Sequence, residues 1–352
     1  MRSCKLIKVV DTHTEGENCR VVVSGVAVPP GDTMLARMLY MKHEADWLRK
    51  MVLREPRGQI VQSANLVTPP IDPAADAGVV IMESMGYPAM SGTNAMSVGV
   101  VLLELGMVEM TEPESVVTLD TPGGLVTVTA RCRDGKCLDS RLRNVPAFVP
   151  HSDVPLEVAG FGTVTADVAY AGCLYALVDG RDLGFALSPD EAPDLAKAGN
   201  LLARAAAEQL PITHPDDPAL AADYFGFIRG PVESDDGHTK RAKGICIVQP
   251  GWLGRSTSGT GTSACLAVMH AKGELAPGQR LCHVSLLGTE LIGEILGLTK
   301  VGPYDAIVPG ITGRTWIVGV SELWLDPDDP FPEGYALGDT WPGAGPEATG
   351  TI

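Results

Sequence analysis

Met90-Ser91-Gly92-Thr93-Asn94-Ala95 and Thr257-Ser258-Gly259-Thr260-Gly261-Thr262 follow one local plan. In each, Ser-Gly-Thr opens an apolar run. The first run passes through residues 100–105 to Gly106, and the second through residues 266–271 to Gly273. Serine is a preferred helix N-cap, and a glycine just past the last periodic residue suits a C-cap. The pattern therefore predicts two mostly apolar helices, beginning near Ser91 and Ser258. They lie about half the 352-residue chain apart. Two similar α+β halves, each holding an apolar helix against a sheet, account for this most simply. The helix N-termini are then expected to face each other across a cleft.

The intervening sequence reads mainly as strands. Residues 6–10, 20–28, 78–82, 116–119, 125–130, 244–248 and 315–320 are rich in β-branched residues and bounded by Gly, Pro or Asp. Helical periodicity marks the later part of 32–55 and an Ala/Leu-rich stretch at 192–209. The net charge is −16, with no Lys/Arg cluster. Such a chain is repelled by phosphate backbones and anionic membranes, which argues against nucleic-acid or membrane partners. No apolar run reaches the ~20 residues of a membrane span, and residues 1–10 lack the apolar core of a signal peptide. A cytoplasmic location is expected. Eight scattered cysteines include no C-x-x-C pair, so neither a disulfide framework nor a zinc site is expected. Cys132 and Cys137 flank Asp134-Gly135, a hairpin-turn sequence.

A helix N-terminus presents unpaired N–H groups and partial positive charge, and an adjacent glycine lets a ligand approach the backbone. Gly259-Thr260-Gly261-Thr262 is thus a candidate carboxylate or phosphate cradle. Two such ends aimed at one small anion would set Ser91 and Ser258 on opposite faces of it. A proton could then leave one face of a carbon and arrive on the other. Taken singly, each serine is as well explained as a plain cap. A P-loop is excluded, because no lysine follows either Ser-Gly-Thr. Neither serine lies in G-x-S-x-G, so an α/β-hydrolase nucleophile is poorly supported.

Six blocks, in order along nearly the whole chain, resemble the proline racemase superfamily, which includes hydroxyproline epimerases and trans-3-hydroxyproline dehydratases. They are Asp11-Thr12-His13-Thr14-Glu15-Gly16-Glu17, Arg54-Glu55-Pro56-Arg57-Gly58, Gly86-Tyr87 with Met90-Ser91-Gly92, Asp120-Thr121-Pro122-Gly123-Gly124-Leu125-Val126, Arg255 to Ala264, and Asp326-Pro327-Asp328-Asp329-Pro330-Phe331 with Gly334. The resemblance implies an α+β fold of two pseudo-symmetric diaminopimelate-epimerase-like halves. Each half is a curved sheet around a central helix, with the active site between them. We expect the first half at 1–130, with 325–352 returning to it, and the second at 131–324. The resemblance also implies two-base proton transfer at the substrate α-carbon without cofactor or metal. Ser91 and Ser258 are then the catalytic pair. Gly92, Thr93, Gly259, Thr260 and Tyr224 are the substrate-binding residues, and the partner is a proline-like amino-acid carboxylate. A homodimer is left open.

The sequence departs from the family pattern at informative places. Racemases and many epimerases carry Cys at both catalytic positions, where this chain has serines. Thr93 stands where His is usual, Gly254 where Asp is usual, and Tyr224 near an expected binding His. A Ser hydroxyl is a far weaker acid than a thiol and needs a neighbouring base. His214 and His238, in the second half, are candidates to assist, but both lie in turn sequences and read rather as surface-loop residues. His13 and Glu15 read equally well as structural residues at a sheet edge. Three functions follow: an epimerase of proline or a hydroxyproline; a trans-3-hydroxyproline dehydratase; or a divergent protein that binds another small carboxylate without α-proton chemistry.

Overall fold

The computed structural model describes residues 5–221, 223–326 and 328–342. Cys4, Pro327 of the closing motif and residues 343–352 of the expected returning segment lie outside the described residues. The fold is mixed α+β and strand-rich. Its α-helices are α1 (Met34–Glu44), α2 (Trp47–Leu53), α3 (Gly92–Glu104), α4 (Ala192–Gln209) and α5 (Gly259–Ala271). The two helices that follow Ser91 and Ser258 form as expected. Gly106 and Gly273, with φ of 67° and 71°, end them in the left-handed conformation that glycine adopts without strain.

Both helices are apolar on nearly every side, which marks a helix buried all round. Strands enclose α3 through Val10, Val21, Ile81, Leu119, Val128 and Leu142. Another set encloses α5 through Leu177, Phe227, Val248, Leu281, Ile295 and Ile311. Each such fully buried side chain contributes roughly 1.5–3 kcal/mol by leaving water. The helix–strand approach is close. A β-carbon on Gly99 of α3 would lie 2.8 Å from Val128 Cγ1, so glycine is required there. Helices α1 and α2 cover a further core with Ile7, Val9, Val22, Leu66 and Val80. Helix α4 packs over Leu174, Ala176, Ile228 and Ile247.

All strands are hydrogen-bonded into one continuous system. Strand Lys136–Arg143 pairs with Gly124–Arg133 on one side and with Tyr304–Gly313 on the other, joining the strands around α3 to those around α5. Lys5–Thr14 pairs antiparallel with Thr315–Leu325. Beyond Leu325 the chain runs back over α2: the Tyr335 N–H donates to the Glu55 carbonyl, and Arg57 pairs with Asp329 at 2.8 Å. The Cys132–Cys137 hairpin forms, with Asp134 and Gly135 both at positive φ, and its sulfurs stay as free thiols 3.9 Å apart. Among the described residues no helix is long and apolar enough to cross a membrane.

Candidate active site

The first-turn glycines of α3 and α5 touch. One cavity opens beside that contact, lined among others by Glu17, Glu83, Ser91, Thr93, Asn94, Tyr175, Ser258 and Thr260. Met90, Phe225, Val248 and Trp252 supply its apolar wall. The structure thus brings both predicted serines and both following threonines to one small space; Gly92 and Gly259 do not line it but meet each other between those residues.

The two serines are held differently. Ser91 has the N-cap position of α3 but makes no side-chain cap. Its Oγ instead accepts a 2.8 Å bond from Asn94 Nδ2. The Asn94 amide is oriented by Asn65 Nδ2, which donates to its Oδ1 at 2.8 Å, and by Ser63 Oγ at 2.6 Å from the same oxygen. The Asn94 amide nitrogen also reaches Glu83 Oε1 at 3.4 Å. With Asn94 donating to it, the Ser91 hydroxyl keeps its own proton for another acceptor, and the Asn94 amide nitrogen shared by the two sets the Glu83 carboxyl beside it.

Ser258 does cap its helix, accepting from the Gly261 N–H at 3.1 Å. Its backbone has φ 58° and ψ 131°, a conformation that strains any residue bearing a β-carbon. Its Oγ lies 3.2 Å from both Tyr175 Oη and Thr260 Oγ1, and those two are 2.7 Å apart. The Ser258 face is therefore a closed triangle of hydroxyls. A carboxylate stands behind it. Glu17 Oε2 accepts from the Arg255 N–H, the Ser256 N–H and the Ser256 hydroxyl, while the Ser258 N–H donates to Ser256 Oγ at 3.1 Å. Glu17 also fills the space beside Gly254, where a β-carbon would lie 3.4 Å from Oε2. A carboxylate from the opening motif thus lies beside position 254.

The electrostatics follow from burial. Desolvation raises the Glu17 carboxyl above the usual carboxylate range, against the three donors that favour its ionised form. Glu83 is pushed up to about 7, first by burial and then by the charge of Glu17; the Ser91 hydroxyl opposes this and Asp223 adds to it. Cys173 and Cys246 also line the cavity, and burial holds both thiols well above their ordinary range. They are neutral thiols and do not substitute for a thiolate at the serine positions.

Two expectations need correction. Tyr224 is not in the cavity: its ring lies in the α4 core and its hydroxyl donates to the Leu210 carbonyl. The neighbouring Phe225 lines the cavity instead, because adjacent strand residues face opposite ways. His214, expected on a surface loop, is buried between Phe148 and Tyr170, away from the cavity. His238 is exposed, as expected. His13 stacks on Trp316 and accepts from the Gly16 N–H, while Glu15 accepts from the Arg314 N–H; both are structural at the strand end.

Sequence reasoning missed Glu83, Asn94 and Tyr175 and undervalued Glu17. Glu83 carried a usable signal, being an acid placed directly after the fully buried strand Ala77–Met82 and before the Ser91 motif. Tyr175 carried none, since only sheet register brings it to Ser258.

Comparison with known proteins identifies the family and the fold. The chain is 37% identical to a hydroxyproline epimerase from Agrobacterium vitis solved with trans-4-hydroxy-L-proline bound. The match covers 100% of this chain and 99% of that one, with a TM-score of 0.92. It is 38% identical to a probable proline racemase from Agrobacterium radiobacter solved with carbonate, over 95% of this chain and 98% of that one, with a TM-score of 0.90. A PhzF-family phenazine biosynthesis protein from Bacillus anthracis is 11% identical over 91% and 99% of the two chains, at a TM-score of 0.51, and shares the fold alone. Residues 9–336 match the proline racemase family, and the chain belongs to that family.

Proposed function

We propose that this protein is a racemase or epimerase that moves a proton at the α-carbon of proline or a hydroxyproline, with Ser91 and Ser258 as the acid/base pair. One observation carries the reading: the two serines stand at the N-termini of two touching helices and line one cavity. The first-turn N–H groups of Gly92, Thr93, Gly259 and Thr260 would receive the substrate carboxylate, where helix partial charge favours an anion. Glu17 and Glu83 give the cavity a negative wall suited to the ring ammonium. The trans-4-hydroxy-L-proline bound to the Agrobacterium vitis epimerase supports the choice of substrate class.

The division into 1–130 with a returning segment from 325, and 131–324, belongs to the same proposal. The pairing of Glu55 with Tyr335 and of Arg57 with Asp329 supports that return.

Proton NMR in D2O tests the function, using L- and D-proline and the 3- and 4-hydroxyproline isomers. Loss of the α-proton signal with appearance of a new diastereomer is expected. A second reading, dehydration of a 3-hydroxyproline, is favoured by one feature. The Ser258 hydroxyl is flanked by the Tyr175 and Thr260 hydroxyls, while Glu17 behind them is held by Arg255 and Ser256, and such a set of hydroxyl donors suits a leaving oxygen; a cyclic imine product would establish it. Absence of exchange with the whole panel, in folded protein, would move the search to other small carboxylates.

A further inference from the structure

The weakness of serine as a proton carrier must be met by something in the site. Ser91 Oγ already accepts from Asn94, whose amide is pinned by Asn65 and Ser63. Its hydroxyl proton is therefore directed elsewhere. Asn94 Nδ2, which donates to Ser91 Oγ, also reaches Glu83 Oε1 at 3.4 Å, and so places beside Ser91 a carboxyl that is only 7% exposed and lines the same cavity. Among the described residues nothing equivalent serves Ser258, whose hydroxyl neighbours are Tyr175 and Thr260, while Glu17 behind it is occupied by Arg255 and Ser256. The two faces of the site are chemically unequal.

We propose that Glu83 is the proton acceptor that makes Ser91 a competent base, acting through the Ser91 hydroxyl. The inference rests on the α-proton chemistry proposed above. In the step, the substrate Cα–H bond breaks and its electron pair stays on the α-carbon, delocalised into the carboxylate. Ser91 Oγ takes that proton while its own hydroxyl proton passes to the Glu83 carboxylate. Ser91 ends neutral, Glu83 ends as the neutral acid, and the negative charge has moved to the substrate. The reverse step returns both protons. Glu83 thus holds the proton without an alkoxide ever forming.

The surroundings of Glu83 poise it for this. Glu17 and Asp223 raise its proton affinity by their charge, the neutral thiols of Cys173 and Cys246 flank it, and the Arg49 guanidinium bonds the Glu83 backbone carbonyl rather than its carboxyl. Burial and these charges bring it to about 7, near the working pH, where a general base is most effective.

The test is α-deuterium uptake from D2O across about pH 5 to 9, with the proline and hydroxyproline panel, in wild type, Glu83→Gln, Ser91→Cys and the double variant. The wild-type rate should rise through pH ~7 and level off above it, following ionisation of Glu83. Glu83→Gln should lose ~10²–10⁴-fold and lose the step near 7. Adding Ser91→Cys should restore exchange, because a thiol at a helix N-terminus can ionise without a carboxyl partner, with the rise now set by the thiol and lying above pH ~7. Uptake unchanged by Glu83→Gln would overturn the inference alone. Loss in Glu83→Gln that the thiol cannot rescue would assign Glu83 a structural role and also overturn it. Should Glu83→Gln fail to fold, a wild-type profile flat through pH ~7 would be decisive against it. Folded wild type with no uptake from any panel member would remove the α-proton reading, and this inference with it.

Discussion

A β-carbon placed on Gly92 would lie 2.8 Å from the Cα of Gly259, and one on Gly259 would lie 2.8 Å from the Cα of Gly92. The helices that carry the two serines therefore meet backbone to backbone, and neither position admits a side chain. Alanine at either glycine must push one helix N-terminus away from the other. Overpacking of this kind costs about 1–3 kcal/mol. A displacement near 1 Å between catalytic groups costs on the order of 10²-fold in rate. Gly92→Ala and Gly259→Ala should each lower the urea midpoint and lower α-proton exchange by ~10²-fold. Exchange at the wild-type rate in either variant would show that the spacing of the helix ends is not what sets activity.

The strained backbone at Ser258 gives a prediction of opposite signs. Its φ of 58° and ψ of 131° suit glycine far better than a residue with a β-carbon, and its hydroxyl caps α5 through the Gly261 N–H. Ser258→Ala keeps the strain and loses the cap, a loss of about 1 kcal/mol. Ser258→Gly relieves a strain of order 1–3 kcal/mol and loses only a few tenths as a cap. Thermal unfolding should rank Ser258→Gly above Ser258→Ala, with Gly equal to or above wild type, while both lose activity. Stability that falls equally in the two would mean that position 258 carries no strain.

Both helices were legible in sequence because their signal is local: a cap, an uninterrupted apolar run and a glycine stop. The strand Ala147–Val158 was not legible, since Pro150, Asp153 and Pro155 interrupt its alternation and pairing with Gly162–Tyr170 proceeds through register shifts. The same limit applied at the site. Ser91, Thr93, Ser258 and Thr260 sit in their own motifs and were found. Tyr175, Phe225 and Cys246 come from the neighbouring strands Leu174–Asp179, Tyr224–Asp235 and Thr239–Val248, and converge only through register. Choosing Tyr224 over Phe225 was a one-residue error that reverses the face of a strand.

Stability should depend on pH through Glu83 in a defined direction. Its folded-state pKa, about 7, lies above the ordinary 4.5, so the folded protein holds a proton that the unfolded chain has released between those values. This contribution is full below pH ~4.5 and is lost as pH rises through ~7, amounting to about 3 kcal/mol. His283 works against it. Burial lowers that imidazole from 6.5 to about 3, which favours the folded state as pH rises. The wild-type curve is therefore partly cancelled, and the difference between wild type and Glu83→Gln isolates the carboxyl. Urea unfolding should show the variant gaining about 3 kcal/mol relative to wild type between pH ~5 and ~8. A constant difference over that window would place the Glu83 pKa at its ordinary value.

The hydroxyl triangle supplies the prediction that separates the two faces. Tyr175 Oη lies 2.7 Å from Thr260 Oγ1 and 3.2 Å from Ser258 Oγ, and burial keeps its phenol protonated. It can help deliver a proton through Ser258 but cannot remove one as a phenolate near neutral pH. Tyr175→Phe deletes one hydroxyl from a buried set, at about 1 kcal/mol of stability, and leaves Ser91, Asn94 and Glu83 untouched. Proton removal at the Ser91 face should then continue while delivery from the Ser258 face falters. In D2O, the isomer whose α-proton faces Ser91 should still take up deuterium, and its conversion to the opposite configuration should fall by ~10²-fold. The ratio of exchange to inversion, read from one set of NMR spectra, would rise sharply. If exchange and inversion fall together, the Ser258 hydroxyl set acts on binding or on both proton transfers, and the functional inequality of the two faces is wrong.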